Sequence, residues 1–217
     1  DRMKDDFIST VSHELRTPLT SIRAFSEMLQ EDPKIDLAQR SRFLGIIVNE
    51  TVRLSRLISQ ILDLAKLESG RAEWTVESVD VGEMLNDATD SLAVLFTEKH
   101  VRLEVEPSEP GLIVLADCDR LIQVMVNLLS NALKFAPADT GYVKVGAGGT
   151  ASEVRVYVSD NGPGIPVEDQ NLIFDKFQQG AGTSELLTEK PQGTGLGLPI
   201  SRQIIEYFRG RLWVESA

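Results

Sequence analysis

Apolar residues recur every three or four positions through the first third of the chain, which is the spacing of an α-helix. One such run covers residues 1 to about 30, and a second covers about 37 to 68. Asp32-Pro33 separates the two runs, because proline disfavours a helical conformation at the residue before it. The pattern therefore predicts two long helices joined by a short turn, that is, an antiparallel hairpin.

The second predicted helix has one apolar side, formed by Phe43, Ile47, Leu54, Leu57, Ile61, Leu64 and Leu67. The hairpin as a whole therefore carries an apolar side too wide for its two helices to cover. Pairing with a second copy of the chain would bury this side in a four-helix bundle. We therefore expect a homodimer.

The pattern changes after Ser69-Gly70, where glycine ends the second helix. Short alternating or apolar runs predict strands over 101–106, 112–116, 142–147, 154–160 and 211–215. Helical patterns cover 80–99, 117–135 and 198–208, with Asp80 capping the first and either Asp117 or Asp119 capping the second. The sequence thus predicts an α+β chain, in which residues 1–70 form a helical hairpin and residues 71–217 form one α/β domain.

Composition narrows the classes of partner. The chain has 217 residues, of which 42% are apolar, and no run of them is long enough to span a bilayer. The net charge is −11, and residues 71–217 hold 12 Lys+Arg against 22 Asp+Glu, net −10. This surface argues against nucleic-acid binding, which needs a basic patch. A bound polyphosphate would need Mg2+ and a few local donors.

The beginning of the chain and its single cysteine indicate where in the cell the protein is located. Asp1 already lies within a helical pattern, so we expect a longer protein with a sensor or membrane anchor upstream. No signal region opens the chain. Cys118 has no second cysteine to pair with, which excludes an internal disulfide and fits a cytoplasmic location.

The first candidate for chemistry is His13, in the polar stripe of the first helix. Pro18 cannot donate a backbone hydrogen bond to the Glu14 carbonyl, so the helix should bend or loosen one turn beyond the histidine. An exposed, mobile imidazole is a good nucleophile. The alternative is an ordinary surface histidine.

A second candidate is the stripe Asn127, Asn131 and Lys134, at positions i, i+4 and i+7 of the helix over 117–135. Asparagine is unfavourable within a helix, so two on one stripe suggest a role. An amide oxygen can coordinate a hard cation, and an ammonium can bind a phosphate. A solvated polar face is the alternative.

Two glycine-rich stretches complete the candidates. Asp160-Asn161-Gly162-Pro163-Gly164 follows a strand, so Asp160 could bind an exocyclic amine beside a flat ring that lies on the glycines. Gly193-Thr194-Gly195-Leu196-Gly197 precedes a helix and could hold phosphate. Phe174-Asp175-Lys176-Phe177 and a polar run to Gln192 lie between them, as a possible glycine-hinged lid. Plain turns would explain both glycine stretches equally well.

The order and spacing of these motifs resemble the sensor histidine kinase family of two-component signalling. The resemblance extends over essentially the whole chain, from His13-Glu14-Leu15-Arg16-Thr17-Pro18 to Gly193–Leu198. It implies that His13 is the phosphoacceptor, that Glu14 takes or orients the proton on the other ring nitrogen, and that Thr17 helps to place a water that dephosphorylates the partner regulator. That partner would be a response-regulator receiver domain, expected to dock around Ala24, Phe25 and Met28.

The resemblance also implies a Bergerat ATP-binding fold, as in gyrase and mismatch-repair ATPases. Asn131 would be the Mg2+ ligand, with Asn127 near the metal and phosphates, Lys134 on the phosphates and Asp160 on adenine. The other expected ATP-binding residues are Gly162, Gly164, Lys176, Gly193, Thr194, Gly195 and Gly197. Those ATPases carry a glutamate base at the position of Asn127, so this site should hold ATP for His13 and not hydrolyse it.

The sequence departs from the family at the lid. Lys176 stands where arginine is frequent, and residues 178–192 contain no arginine, so a fork-shaped donor for the γ-phosphate is missing. Before the last predicted strand, Phe208-Arg209-Gly210 replaces the more usual histidine and two glycines. The leading interpretation is an ATP-dependent histidine kinase. The alternatives are a scaffold that binds ATP and a regulator but seldom transfers phosphate, and an ATPase of the gyrase type.

Overall fold

A computed structural model describes residues 2–32, 34–109, 111–150, 152–177 and 193–216. The chain divides into two compact units, Asp1–Ser69 and Gly70–Ala217. We call them the hairpin unit and the sandwich unit and describe each by itself. The expected lid over 178–192 lies outside the described residues.

The hairpin unit consists of two helices, α1 (Arg2–Glu31) and α2 (Leu37–Glu68), as the periodicity predicts. The Asp36 side chain caps α2 by accepting the Gln39 N–H at 2.8 Å. Pro18, Leu57 and Leu64 are fully or almost fully buried. Helix α1 continues through Pro18. None of the helices within the described part of the chain combines the length and hydropathy that a membrane span requires.

The sandwich unit contains four helices and five strands in its described part. The helices are α3 (Val81–Asp90), α4 (Ala93–Glu98), α5 (Cys118–Phe135) and α6 (Gly197–Tyr207). The strands are β1 (Glu77–Asp80), β2 (Arg102–Val105), β3 (Ile113–Ala116), β4 (Tyr142–Gly149) and β5 (Val154–Asp160). A single 3-10 turn covers Leu172–Phe174.

The strands form two sheets. Strand β1 pairs antiparallel with β3, and the second sheet has the order β2-β4-β5, parallel between β2 and β4 and antiparallel between β4 and β5. Helices α3 and α5 pack their apolar faces on this sheet, with Leu85, Leu129, Val143 and Val145 at the centre of the core. Mixed helix and sheet content around one apolar layer confirms the predicted α+β class.

Helix α5 is held at both ends. At its start, Asp117 accepts the Arg120 N–H at 3.1 Å and the Thr75 N–H at 2.8 Å. At its end, the Lys99 ammonium donates to the carbonyls of Leu133, Lys134 and Ala136. A cation at a helix carboxyl end satisfies carbonyls that have no partner within the helix. The stripe of polar side chains on α5 therefore projects from a fixed helix.

Two predictions of local structure were wrong, and one strand was not predicted. The helix over 80–99 is two helices, because the Ser91 hydroxyl donates to the Ala88 carbonyl at 2.7 Å and the chain turns there. The strand over 211–215 is not formed, since alternation alone does not supply a pairing partner. Strand β1 was not predicted, because Val79 is the one apolar residue among its four.

Candidate functional site

The His13 imidazole is 77% exposed on α1, and a carboxylate approaches one of its two nitrogens. Nδ1 lies 3.9 Å from Oε1 of Glu14, too far for a hydrogen bond in this arrangement. Glu14 is more enclosed, and its second oxygen lies 3.8 Å from Nη2 of Arg53 on α2. His13 can thus offer its other nitrogen, Nε2, to a reactant while Nδ1 faces an acid.

Two neighbours change the backbone around His13. The Thr17 hydroxyl donates to the His13 carbonyl at 3.2 Å. Pro18 lies inside the helix and has no N–H for the Glu14 carbonyl. The turn that carries the histidine therefore has one backbone hydrogen bond fewer than a regular helix.

In the sandwich unit, the Asn127 side chain on α5 contacts the first turns of α6. Its Nδ2 donates to the Ser201 hydroxyl at 2.9 Å. Its Oδ1 lies where a side chain at Gly197 would overlap it. A residue other than glycine at position 197 would therefore push the amide away or be pushed away itself.

Lys134 lies two turns further along the same stripe, against Gly193. A Cβ atom at Gly193 would come within 2.8 Å of Nζ of Lys134. The ammonium also lies 4.7 Å from the centre of the Phe135 ring. Burial lowers the pKa of the Lys134 ammonium below its ordinary value. The cause is the loss of hydration of an ammonium that lies against Gly193 and the Phe135 ring.

The turn after β5 closes on the end of α5. Oδ1 of Asp160 accepts the Gly162 N–H at 2.8 Å. A Cβ atom at Gly162 would lie 2.7 Å from Oδ1 of Asp160 and 3.1 Å from the Phe135 carbonyl oxygen. Gly162 is thus required for this close approach, while Gly164 has a φ of +76° that favours glycine. The other oxygen of the exposed Asp160 carboxylate is available to a ligand.

The segment Phe174-Asp175-Lys176-Phe177 is fixed at both ends. The Arg202 guanidinium lies 5.4 Å from the centre of the Phe174 ring, and the Phe177 N–H donates to the Gly195 carbonyl at 2.9 Å. Phe177 adopts a φ of +62°, a conformation that is rare and costly for a bulky residue. These contacts place Lys176 next to the loop that contains Thr194 and Gly195.

The structure brings most of the predicted residues of the sandwich unit to one helix. The 193–197 loop runs beside α5 from Lys134 to Asn127, and the Asp160 turn meets α5 at Phe135. Asn131 is half-buried on the same stripe, midway between the two. His13, Glu14 and Thr17 form a separate group in the hairpin unit.

Two polar residues at these sites were not predicted. Ser201 was missed although it lies one turn after Gly197 on α6, between the apolar residues Ile200 and Ile204. Arg53 was missed although it lies three residues after Glu50 on α2, and its Nη1 is 3.7 Å from the Glu50 carboxylate. Neither position carries a sequence signal that marks its contact, since both residues lie among other polar residues of their helices.

The donor set fits a magnesium nucleotide. Amide oxygens suit a hard cation, an ammonium suits a phosphate, and Gly193 and Gly197 leave room beside both groups. Within the described residues, no cluster of three His, Cys, Asp or Glu side chains could hold a metal by itself. A cation here would therefore need ligands from a bound phosphate, which is usual for Mg2+.

Two family models match the chain. Residues 3–70 match the His Kinase A phospho-acceptor domain, and residues 116–217 match the histidine kinase-, DNA gyrase B- and HSP90-like ATPase family. The sensor histidine kinase WalK of Bacillus subtilis (strain 168) is 34% identical over 218 residues, covering 100% of this chain. The chain belongs to the sensor histidine kinase family.

Other proteins and solved structures are also similar to this chain. Drug sensory protein A of Synechocystis is 36% identical over 98% of the chain. The chain spans about one third of the length of these curated relatives, 35% of WalK and 33% of Drug sensory protein A. The crystal structure of the histidine kinase ThkA in complex with the response regulator TrrA has a TM-score of 0.77 at 26% identity, covering 98% of this chain and 57% of that one. The structure of ShkA in complex with AMPPNP has a TM-score of 0.64 at 29% identity. The match covers 93% of this chain and 40% of the ShkA chain.

Proposed function

We propose that this chain is a protein histidine kinase that phosphorylates its own His13 with ATP and passes the phosphoryl group to an aspartate of a receiver domain. The observation that carries the proposal is the exposed His13 imidazole with Glu14 beside Nδ1. An acid next to one nitrogen of an otherwise exposed histidine is the arrangement that a nucleophilic imidazole requires.

In the proposed reaction, Nε2 of His13 attacks the γ-phosphorus of ATP. A P–N bond forms, the bond from the γ-phosphorus to the bridging oxygen breaks, and ADP leaves. The neutral imidazole carries its proton on Nδ1, and Glu14 takes or orients that proton, so the lone pair on Nε2 stays free. The loss of one backbone hydrogen bond at Pro18 gives this turn room to adjust.

The proposed ATP site lies along α5. Asn131 would hold Mg2+, which neutralises phosphate charge when bound. Asn127 would lie near the metal and the phosphates, and Lys134 would contact the phosphates. Asp160 would accept the exocyclic amine of adenine. Gly162, Gly164, Gly193, Thr194, Gly195 and Gly197 would line the pocket, and Lys176 would lie near the γ-phosphate. Asn127 cannot act as a base toward water, which favours transfer to His13 over hydrolysis.

The proposed partner is a response-regulator receiver domain, since the related ThkA was crystallised with a response regulator. Met28 is 49% exposed on α1, and Ala24 and Phe25 are half-buried. We expect the receiver to dock on these residues. Thr17 would then place a water that removes the phosphoryl group from the regulator. A charged or bulky residue at Ala24 or Met28 should alter regulator choice and leave autophosphorylation unchanged.

The proposed assembly is a homodimer through the hairpin unit. Exposed apolar residues follow the length of α2 at helical spacing, namely Leu44, Val48, Val52, Ile58 and Leu62. A second copy would bury them in a four-helix bundle. We further propose that the hairpin unit serves dimerisation and phosphoacceptance and the sandwich unit serves ATP binding. The whole would be the cytoplasmic part of a membrane-anchored sensor.

The test is transfer of label from γ-labelled ATP with Mg2+ to the chain, to His13→Gln and to Asn131→Ala. We expect label on the unchanged chain and none on either variant. Added receiver domain should then remove label from the kinase and gain it. The result that the chain is dimeric by sedimentation and binds ATP but gains no label would favour the alternative function, a scaffold that binds ATP and a regulator but seldom transfers phosphate. Label that persists on His13→Gln would show that another residue is the acceptor.

A further inference from the structure

We propose that Asn161 is a positioning residue that gives the nucleotide site its preference for adenine by fixing the turn that carries Asp160. The inference rests on the proposed function, because that function assigns Asp160 to the exocyclic amine of adenine. Asn161 lies between Asp160 and Gly162 in the glycine-rich stretch after β5 and acts through Asp160, since its own amide binds the protein backbone.

The Asn161 side chain binds the segment that leads into strand β4. Its Oδ1 accepts the Tyr142 N–H at 2.8 Å, and its Nδ2 donates to the Thr140 carbonyl at 3.1 Å. Because a backbone N–H can only donate and a carbonyl can only accept, these two partners admit a single orientation of the amide. The amide therefore ties the turn after β5 to the start of β4.

These two bonds lie just beyond the end of the β4–β5 ladder. The last residue pair of that ladder is Val143 opposite Asp160. The end of a ladder opens more easily than its middle, because it has neighbours on one side only. The Asn161 side chain supplies two further bonds on the open side and so holds Asp160 in its place.

The other side of the turn is fixed on helix α5. Oδ1 of Asp160 accepts the Gly162 N–H at 2.8 Å. Gly162 lies so close to the end of α5 that a Cβ atom there would be 3.1 Å from the Phe135 carbonyl oxygen. The Asp160 carboxylate thus lies between two anchored neighbours, Asn161 and Gly162. Within the described residues its Oδ2 has no hydrogen-bond partner, so this oxygen faces a ligand from a fixed position.

A fixed carboxylate can distinguish two purines. Adenine carries an exocyclic amine where hypoxanthine carries a carbonyl, and a carboxylate can accept a hydrogen bond only from the amine. A site built to bind one group of a substrate rejects the analogue that lacks it. Without the Asn161 amide, the turn loses its tie to β4 and Asp160 can move away from the amine. A hydrogen bond weakens steeply with such a displacement.

The experiment measures the affinity of the full 217-residue chain for ADP and for inosine diphosphate by calorimetry with Mg2+. Neither nucleotide has a γ-phosphate, so binding is measured without transfer to His13. The unchanged chain should prefer ADP at least about tenfold. For Asn161→Ala we expect the affinity for ADP to fall about tenfold and the affinity for inosine diphosphate to stay within about twofold.

Two further variants separate this role from charge and from a general effect of losing an asparagine. Asn161→Asp keeps the size of the side chain and its acceptor but cannot donate to Thr140, so it should also lose the preference. Its added charge acts on both nucleotides alike and leaves the ratio of the two affinities unaffected. Asn171→Ala removes an exposed asparagine of the sandwich unit and should keep the preference.

An equal loss for both nucleotides in Asn161→Ala, no loss at all, or the same loss of preference in Asn171→Ala would overturn the inference. Equal affinity of the unchanged chain for the two nucleotides would overturn it together with the assignment of Asp160. If the unchanged chain binds neither nucleotide, the proposed function fails and the inference fails with it, and that result does not depend on any variant.

Discussion

The guanidinium of Arg53 on α2 lies 3.8 Å from the carboxylate of Glu14 on α1. The same guanidinium lies 3.7 Å from Glu50, whose buried Oε2 has no hydrogen-bond partner among the described residues. Arg53 therefore compensates two partly enclosed carboxylates, one of which adjoins the proposed phosphoacceptor. Charges enclosed in this way are stabilised chiefly by their partner.

We predict that Arg53→Met slows autophosphorylation about tenfold and leaves the affinity for ATP unchanged, because Glu14 loses the cation that holds it beside His13. The measurement is the initial rate of label incorporation at saturating ATP. Arg56→Met is the matched control, since Arg56 is exposed one turn further along α2. An equal slowing in Arg56→Met would show that the rate depends on the net charge of the helix and not on the position of Arg53.

We predict that Gly197→Ala lowers the affinity for an ATP analogue at least about tenfold, because the added methyl overlaps Oδ1 of Asn127 and displaces the amide. Calorimetry with Mg2+ measures the effect. Gly148→Ala is the control, since a Cβ there meets nothing within 4 Å. Unchanged binding by Gly197→Ala would mean that Asn127 can move without loss and is not a ligand.

The buried ammonium of Lys134 should lower the stability of the folded chain and favour nucleotide binding. Its folded-state pKa is lowered by burial, so between that value and the unfolded-state pKa the unfolded chain binds more protons. The stability of the nucleotide-free protein should therefore rise with pH in this interval. Lys134→Met should raise the melting temperature at neutral pH and abolish nucleotide binding. A lower melting temperature for this variant would contradict the assigned cost of burial.

The lowered pKa of Lys134 also predicts how the affinity for the nucleotide depends on pH. Phosphate binding needs the protonated ammonium, so affinity for the nucleotide should fall as pH rises through the lowered pKa of Lys134. Calorimetry from neutral to alkaline pH measures this. Lys134→Arg should keep its affinity across the range, since a guanidinium stays charged. A parallel decline in both proteins would assign the pH dependence to another group.

Lys99 should contribute to stability and not to chemistry. Its ammonium donates to three carbonyls at the end of α5, and burial lowers its pKa. Lys99→Met leaves these carbonyls unpaired and should lower the free energy of unfolding by about 2 kcal/mol. Denaturant unfolding of the chain measures this. Lys66→Met, at the exposed end of α2, is the comparison and should cost less than about 0.5 kcal/mol.

Local patterns predicted the elements on which the candidate site is built. The spacing of Asn127, Asn131 and Lys134 placed them on one stripe before any tertiary contact was known, because helical geometry alone determines which residues share a face. The bounds of α5 and β5 agree with the structure because each element has a strong pattern and a capping or turn residue at its end.

Contacts between distant segments were not predictable from the same patterns. Ser201 meets Asn127 only because α6 packs on α5, and its apolar neighbours gave the sequence the appearance of a core face. Nothing in the segment around Arg53 identifies Glu14 as its partner, because the contact depends on how α1 packs beside α2. The strand over 211–215 failed for the same reason, since strand formation depends on a partner that its own residues do not specify.

The most direct test of the central claim is the chemical identity and position of the phosphoryl group after incubation with ATP and Mg2+. A phosphohistidine is lost in acid and stable in alkali, whereas phosphoserine and phosphothreonine behave in the opposite way. We predict an acid-labile, alkali-stable phosphoryl group on the single peptide that contains His13. An acid-stable group, or one that maps to His100, the other histidine of the chain, would contradict the account.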